Sequence, residues 1–430
     1  MKKLFVSAGL VAISAANLHA DEYAPDFTAM DASKPWTVSG TLRGFYDDNF
    51  TTSPNGQKQG SAGFEFSPQA SIIVPLQQTE LGLRYTYGLY YYQQRENQGA
   101  NPIDQSHEAD LWIDHAFSQR WEGKIEDTFT SQQDPSLSSS ATAVPYRVEG
   151  NNIQNVGTIT AQTEWSMLFS TDFGYQNTWV DYANSADIDG ASLVGLFNED
   201  QHSGWASLNY QYLPDLSFMI KYTLTWDDYT GNQVIGEKTP TELYNSDSRN
   251  AITHNISVGA QYAATANLSL LAWVGFSYVD NYNLPSFDNQ KSDSYQPSAN
   301  IAATYTYLPG DYVQVGFTQS QSTAPTSDVS ASDGSLTLYQ ESSVIYASVN
   351  HQITPKLTGS LLGHYQYNSW QSGGNSGESQ NWYTFGASLA YTFNPLITAE
   401  VGYNFYYLTK TSPLPGYSRN VGYASVTASF

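Results

Sequence analysis

The sequence predicts an all-β fold: a closed antiparallel up-and-down transmembrane β-barrel of about 18 strands, with 16–18 as the range. Three observations carry this reading. Apolar residues recur with period two over unusually long runs, connections alternate between short and long, and the composition is rich in tyrosine but poor in charge.

The period comes first. In residues 81–92, Leu81, Leu83, Tyr85, Tyr87, Leu89 and Tyr91 share one face, opposite Gly82, Arg84, Thr86, Gly88 and Tyr90. The same split recurs in 216–226 and in 397–407. Such alternation marks amphipathic strands. Ordinary globular strands run about 5–6 residues, whereas these reach the roughly 9–11 that a tilted strand needs to cross a bilayer. The segments fall at about 36–47, 61–75, 79–92, 106–118, 121–130, 152–163, 166–182, 202–213 and 215–229. They continue at about 251–264, 266–280, 294–308, 311–321, 341–353, 356–369, 380–393, 396–408 and 419–430. The weakest is 152–163, where Gly157, Ile159 and Ala161 alone suggest a face.

Short connections such as Leu213-Pro214, Pro309-Gly310 and Asn394-Pro395 alternate with long polar ones such as 131–151, 230–250 and 322–340. Each strand therefore pairs with its sequence neighbour. Short periplasmic turns, long external loops and an even strand number are the pattern of an outer-membrane barrel. The physics agrees, because a sheet spans lipid only when no backbone edge is left unpaired. The long loops 322–340 and 131–151 are expected either to fold inward or to stay outside.

The chain has 33 tyrosines in 430 residues, yet 13% charged residues and a mean hydropathy of −0.41. Disordered chains are poor in aromatics, so that class is excluded. Residues 1–20 read as a secretory signal peptide: Lys2 and Lys3, an apolar run, then Leu18-His19-Ala20. Residues 21–35 read as a short periplasmic leader and 36–430 as the barrel. Removing Lys2 and Lys3 takes the net charge from −23 to −25, which excludes a nucleic-acid partner. There is no cysteine, hence no disulfide framework.

The sequence gives no support for an enzyme. His107-Glu108 lacks a second histidine at the zinc-protease spacing, and Gly386-Ala387-Ser388-Leu389-Ala390 lacks the last glycine of a nucleophile elbow. Asp187-Ile188-Asp189-Gly190 carries a fragment of a calcium loop without its remaining ligands, so no metal and no cofactor are expected.

Strand parity assigns Arg43, Glu65, Arg84, Asp110, Asp114, Glu122, Lys124, Glu126, Asp172, Lys221, Asp227 and Glu400 to the lumen. That is eight acids against four bases, a balance that favours cations. The bland alternative is that these groups merely solvate and brace a wide interior.

Tyr46-Asp47-Asp48-Asn49-Phe50 after the first strand, Ser67-Pro68 in the second, a tyrosine-rich third strand and a last strand ending on Phe430 resemble the type-2 β-barrel porin family. The resemblance implies a bacterial outer-membrane barrel, with some relatives associated with exopolysaccharide systems, and brings no catalytic residues. The expected function is passive diffusion of small hydrophilic solutes or ions. A barrel component of an exopolysaccharide export or biosynthesis system, or a surface adhesin, is the alternative. Expected partners are outer-membrane lipid and the barrel assembly machinery, with Phe430 as the assembly signal. The oligomeric state is left open.

Overall fold

The computed structural model describes residues 35–430 apart from 133–135, 140–141, 148–151, 183–186, 189–190, 289, 325–326 and 410–415. The expected signal peptide, nearly all of the expected leader and half of the calcium-loop fragment lie outside the described residues. Eighteen strands form one sheet. The first six are β1 (Trp36–Asp47), β2 (Ser61–Pro75), β3 (Thr79–Tyr92), β4 (Ile103–Ala116), β5 (Trp121–Gln132) and β6 (Asn152–Glu164). Next come β7 (Phe169–Tyr182), β8 (Glu199–Leu213), β9 (Leu216–Tyr229), β10 (Ala251–Thr265), β11 (Leu268–Asp280) and β12 (Asp293–Leu308). The last are β13 (Asp311–Thr323), β14 (Tyr339–Thr354), β15 (Leu357–Trp370), β16 (Ser379–Asn394), β17 (Ile397–Leu408) and β18 (Tyr417–Ser429).

Each strand pairs antiparallel with its sequence neighbours, and β1 pairs with β18 from Ser39↔Ser429 to Asp47↔Val421. No sheet edge therefore faces lipid. Several strands differ from expectation at their ends: β4 starts at Ile103 rather than 106, and β8 at Glu199 rather than 202. Polar tops such as Asp104 and Asp200 carry no apolar signal, yet they extend the ladder above the membrane. At Pro309-Gly310 the turn is two residues long, closed by the Leu308↔Asp311 pair, and Gly310 takes φ +86, which a side chain would resist.

The outward face is apolar, with Leu42, Ile159, Val274, Ile345 and Val401 all more than 45% exposed. Aromatic residues belt both ends. Trp36, Phe117, Trp121, Trp165 and Phe430 stand at the periplasmic rim, and Tyr46, Trp179, Trp226 and Tyr295 near the extracellular one. Their polar tips find partners: the Trp165 indole N–H donates to Thr171 Oγ1 at 2.9 Å and that of Trp226 to Tyr282 Oη at 2.7 Å. His107, His202 and His254 each pair through Nδ1 with a tyrosine hydroxyl at 2.7 Å, from Tyr85, Tyr175 and Tyr222 respectively. Amphipathic rings belong at this boundary, with the body in lipid and the tip in headgroups.

The inward face is not uniformly small and polar, because large rings also point in. Trp112, Trp205, Trp273, Tyr346 and Tyr423 lie directly across the ladder from Gly82, Gly174, Gly259, Gly316 and Gly402. In each pair the ring covers its glycine, so that an added Cβ at Gly82 would sit 1.8 Å from Trp112 Cε2. The ring shields backbone that glycine leaves bare. Gly82→Val is expected to cost about 1–3 kcal/mol, the usual penalty for overpacking, as it pushes the indole into the lumen. Urea unfolding of the refolded barrel measures this, and an unchanged midpoint would mean that the ring moves freely.

The Tyr46–Phe50 stretch closes the barrel. Asp47 is 1% exposed and accepts from Arg419 Nε at 2.9 Å, across the seam on β18. Asp48 accepts from the Asn420 backbone N–H and side-chain amide, both at 2.6 Å, and from Lys58 at 3.1 Å. Asn49 reaches the carbonyls of Ser53 at 2.8 Å and Ser418 at 3.0 Å, while the Phe50 ring stacks on Tyr92. A run of polar residues after a strand thus becomes a latch between the first strand and the last.

Candidate functional site

The lumen has two unlike walls. On β1–β5 charged side chains form a ladder. Arg43 Nη1 lies 3.0 Å from Glu65 Oε2, and its guanidinium sits 4.7 Å above the Tyr423 ring. Tyr423 Oη in turn donates to Glu400 at 2.6 Å. Arg84 pairs with Asp110 at 2.8 Å and Glu108 at 3.5 Å, and Thr128 donates to Asp110 at 2.9 Å. Nearer the periplasm, Lys124 Nζ contacts Glu126 at 2.6 Å and lies directly opposite Asp114. Glu80 faces Asp114 from the other side, and Glu122 begins the same strand as Lys124. This wall is wet: the side chains of Arg84, Glu108, Lys124 and Glu126 are 40–49% exposed.

Two smaller groups stand on β7–β9. Asp172 accepts from Ser207 at 2.9 Å and Asn209 at 2.5 Å, and Lys221 Nζ lies 4.9 Å from the Trp205 ring centroid. Asp227, near the extracellular end, accepts from Gln201 at 2.6 Å. The structure therefore brings Arg43, Glu65 and Glu400 into one group, Arg84 and Asp110 into another, and Asp114, Glu122, Lys124 and Glu126 into a third. Asp172 and Lys221 flank Ser207, while Asp227 stands apart. Sequence reasoning missed Glu80, Asp104 and Glu108. The first and last share the parity of Arg84 and Asp110, so parity alone would have found them. Asp104 lay in a stretch taken for loop, and it binds Arg95 at 2.5 Å. Among the described residues no group of three or more His, Asp or Glu is placed to hold a metal ion.

The second wall, on β14–β16, is packed. Val344, Tyr346, Leu362, His364 and Gln366 all point inward and are buried. Gln366 donates to Ser342 at 3.0 Å and Asn368 at 2.8 Å, and the His364 ring meets Trp382 edge-on at 5.0 Å.

Loops close over the extracellular mouth. Leu196, Phe197, Ile235, Tyr244, Leu336 and Leu338 join the inward strand tips Val180, Ala251, Val279, Trp370, Trp382, Leu408 and Tyr417 in one buried cluster. The strands that contribute run from β7 to β18, so the cluster bridges across the opening. Segment 322–340 thus folds inward in its described part. Arg249 pins the cap: its Nη1 donates to Leu196 O at 2.8 Å, its Nη2 to Ala324 O, and its guanidinium lies 4.8 Å over Tyr229. The Arg249 carbonyl accepts from Asn281 at 3.2 Å. Tyr244 Oη donates to Gly334 O at 2.6 Å, and Lys238 to Phe287 O at 2.9 Å. Burial, with Asp288 nearby, pushes the Tyr244 phenol up and keeps it a donor.

A strand-by-strand closed barrel, belted with aromatics and filled with a charged lumen, agrees with the family comparison. The profile described as "Putative beta-barrel porin 2" matches residues 36–430. The chain belongs to that family. It is a porin-like barrel of the bacterial outer membrane. Solved structures of similar fold include OccAB4 of Acinetobacter baumannii, at 11% identity and TM-score 0.47, with 92% of this chain and 99% of that one covered. OccK9 (OpdG) of Pseudomonas aeruginosa is 13% identical at TM-score 0.47, covering 92% and 98%. The outer membrane protein opdK from Pseudomonas aeruginosa is 10% identical at TM-score 0.44, covering 92% and 99%. No curated protein matches the chain.

Proposed function

We propose that the barrel is a passive channel for small hydrophilic solutes and that it prefers cations. The observation that carries this is the wet wall of β3–β5, where Glu80, Asp114, Glu122 and Glu126 gather around Lys124. Fixed acids in a narrow water-filled passage raise the local cation concentration and turn anions away. The effect reaches about one Debye length, roughly 8–10 Å at moderate salt. It therefore acts at the periplasmic end of the lumen, around Lys124. Arg43–Glu65 and Arg84–Asp110 are nearly neutral pairs that brace the wall. Transport needs no energy coupling in this reading. Delivery would use residues 1–20 for export and Phe430 for recognition by the assembly machinery.

Reversal potentials across a salt gradient test the proposal. The native barrel is expected to show the sign of cation preference. The triple variant Asp114→Asn, Glu122→Gln, Glu126→Gln is expected to lower the cation-to-anion permeability ratio at least two-fold. Clear anion preference in the native barrel would overturn the reading. Absence of any conductance would favour a barrel serving polysaccharide export or adhesion.

A further inference from the structure

A groove of about 460 Å³ lies on the lipid face of β8–β11 rather than in the lumen. Its upper lip runs from Leu208 through Ile220 and Val258 to Val274, four outward side chains that stand side by side across the ladder. Its lower lip, one step nearer the periplasm, includes Phe218 and then drops away at Ala260 and Ala272. Between the lips the floor is formed at Met219 and Gly259, whose side of the wall is otherwise turned to the lumen. The Trp273 ring covers Gly259 from within, so the groove is closed toward the pore.

Its dimensions select what can lie in it. Residues two apart on a strand stand about 7 Å apart, and three strand spacings make the groove about 14 Å long. A helix, about 10–12 Å across with its side chains, does not enter such a slot. A cavity of about 150 Å³ takes benzene, about 25 Å³ for each carbon, so this groove takes about 18 carbons. No charged side chain lines it. Ala260 lies five residues above Thr265, the end of β10. At about 2.5 Å of height per residue that is about 12 Å into an apolar band about 25 Å tall, within its periplasmic half. Tyr212 and Tyr262, 57% and 39% exposed, stand between the groove and the periplasmic rim, where a phenol can donate to headgroup oxygens.

We propose that this groove holds one acyl chain of a phospholipid from the periplasmic leaflet. It is continuous with the lipid-facing band of the barrel, so hydrocarbon is the chemistry that already reaches it. A chain in the bilayer has left water before it arrives, and contact alone holds it here. A groove left empty would forfeit dispersion along both lips and the floor, whereas a convex barrel surface offers a passing chain only one side. A segment of another protein would have to enter as a strand, with its backbone unpaired in lipid. Lipid A belongs to the other leaflet.

Native mass spectrometry of the full chain, extracted from outer membranes in mild detergent, tests this. The native barrel is expected to retain one phospholipid. The double variant Ala260→Leu, Ala272→Leu fills the lower lip and should lower the retained fraction several-fold, with heat-modifiable migration still native. Ala272→Leu alone should give an intermediate loss, and serves if the double variant does not fold. Ala109→Leu, outward on β4 away from the groove, should change nothing. No retained phospholipid, detergent or lipid A in its place, equal retention by the leucine variants, or an equal loss with Ala109→Leu would each overturn the proposal.

Discussion

Arg249→Met is expected to open the extracellular mouth and raise single-channel conductance several-fold, with the barrel wall unchanged. The guanidinium joins two loops at one point, through Leu196 O and Ala324 O. Arg249 is 2% exposed, so water cannot replace it without the cap loosening. Methionine keeps the bulk over Tyr229 but donates nothing, and each orphaned carbonyl costs about 1–3 kcal/mol. A five-residue helix and short hairpins have little stability of their own to set against that loss. The strands, held by backbone pairing around the full circle, do not depend on Arg249. Limited proteolysis should therefore cut within 230–250 while heat-modifiable migration stays native. Cleavage without a change in conductance would place the cap outside the current path.

The contrast between wall and cap explains what could be read in advance. Strand existence, pairing and closure were legible because a membrane strand must alternate at every step: Leu83 outward, Arg84 inward, Tyr85 outward. Glu108, which pairs with Arg84, follows from Asp110 by the same parity. The cap was not legible. Leu196, Tyr244 and Leu336 come from three separate polar loops, each with too few apolar residues to announce a core. The packed wall left a fainter trace, since Val344-Ile345-Tyr346-Ala347 and Trp382-Tyr383-Thr384-Phe385 are bulky on both faces. Such double-sided runs break the alternation and mark an inner surface that is covered rather than wet. Glycines facing Trp112 or Trp273 read locally as weak points; only the register across the ladder shows that each is filled by its neighbour's ring.

Asp47→Ala is expected to destabilise the closed barrel by about 1–3 kcal/mol, because it removes the buried carboxylate to which Arg419, itself a quarter exposed, donates across the seam. The effect should exceed that of removing an exposed lumen pair such as Arg84–Glu108, whose partners are both 44% exposed and contribute about 0–1 kcal/mol. The second latch residue adds a pH dependence. Burial pushes the Asp48 carboxyl up, but the Asn420 donors and Lys58 outweigh it and hold the group below its usual range. A depressed pKa adds stability above the unfolded value, near 4, and that stability is lost as pH falls through the folded value. Native seam strength should thus hold at neutral pH and decline below about pH 4. Asp48→Asn should flatten that decline, while Asp47→Ala should shift the whole curve. Urea midpoints of refolded protein from pH 7 to pH 3 separate the two. If Asp47→Ala unfolds at the native midpoint, closure rests on the β1–β18 backbone ladder alone and the Tyr46–Phe50 stretch has no part in it.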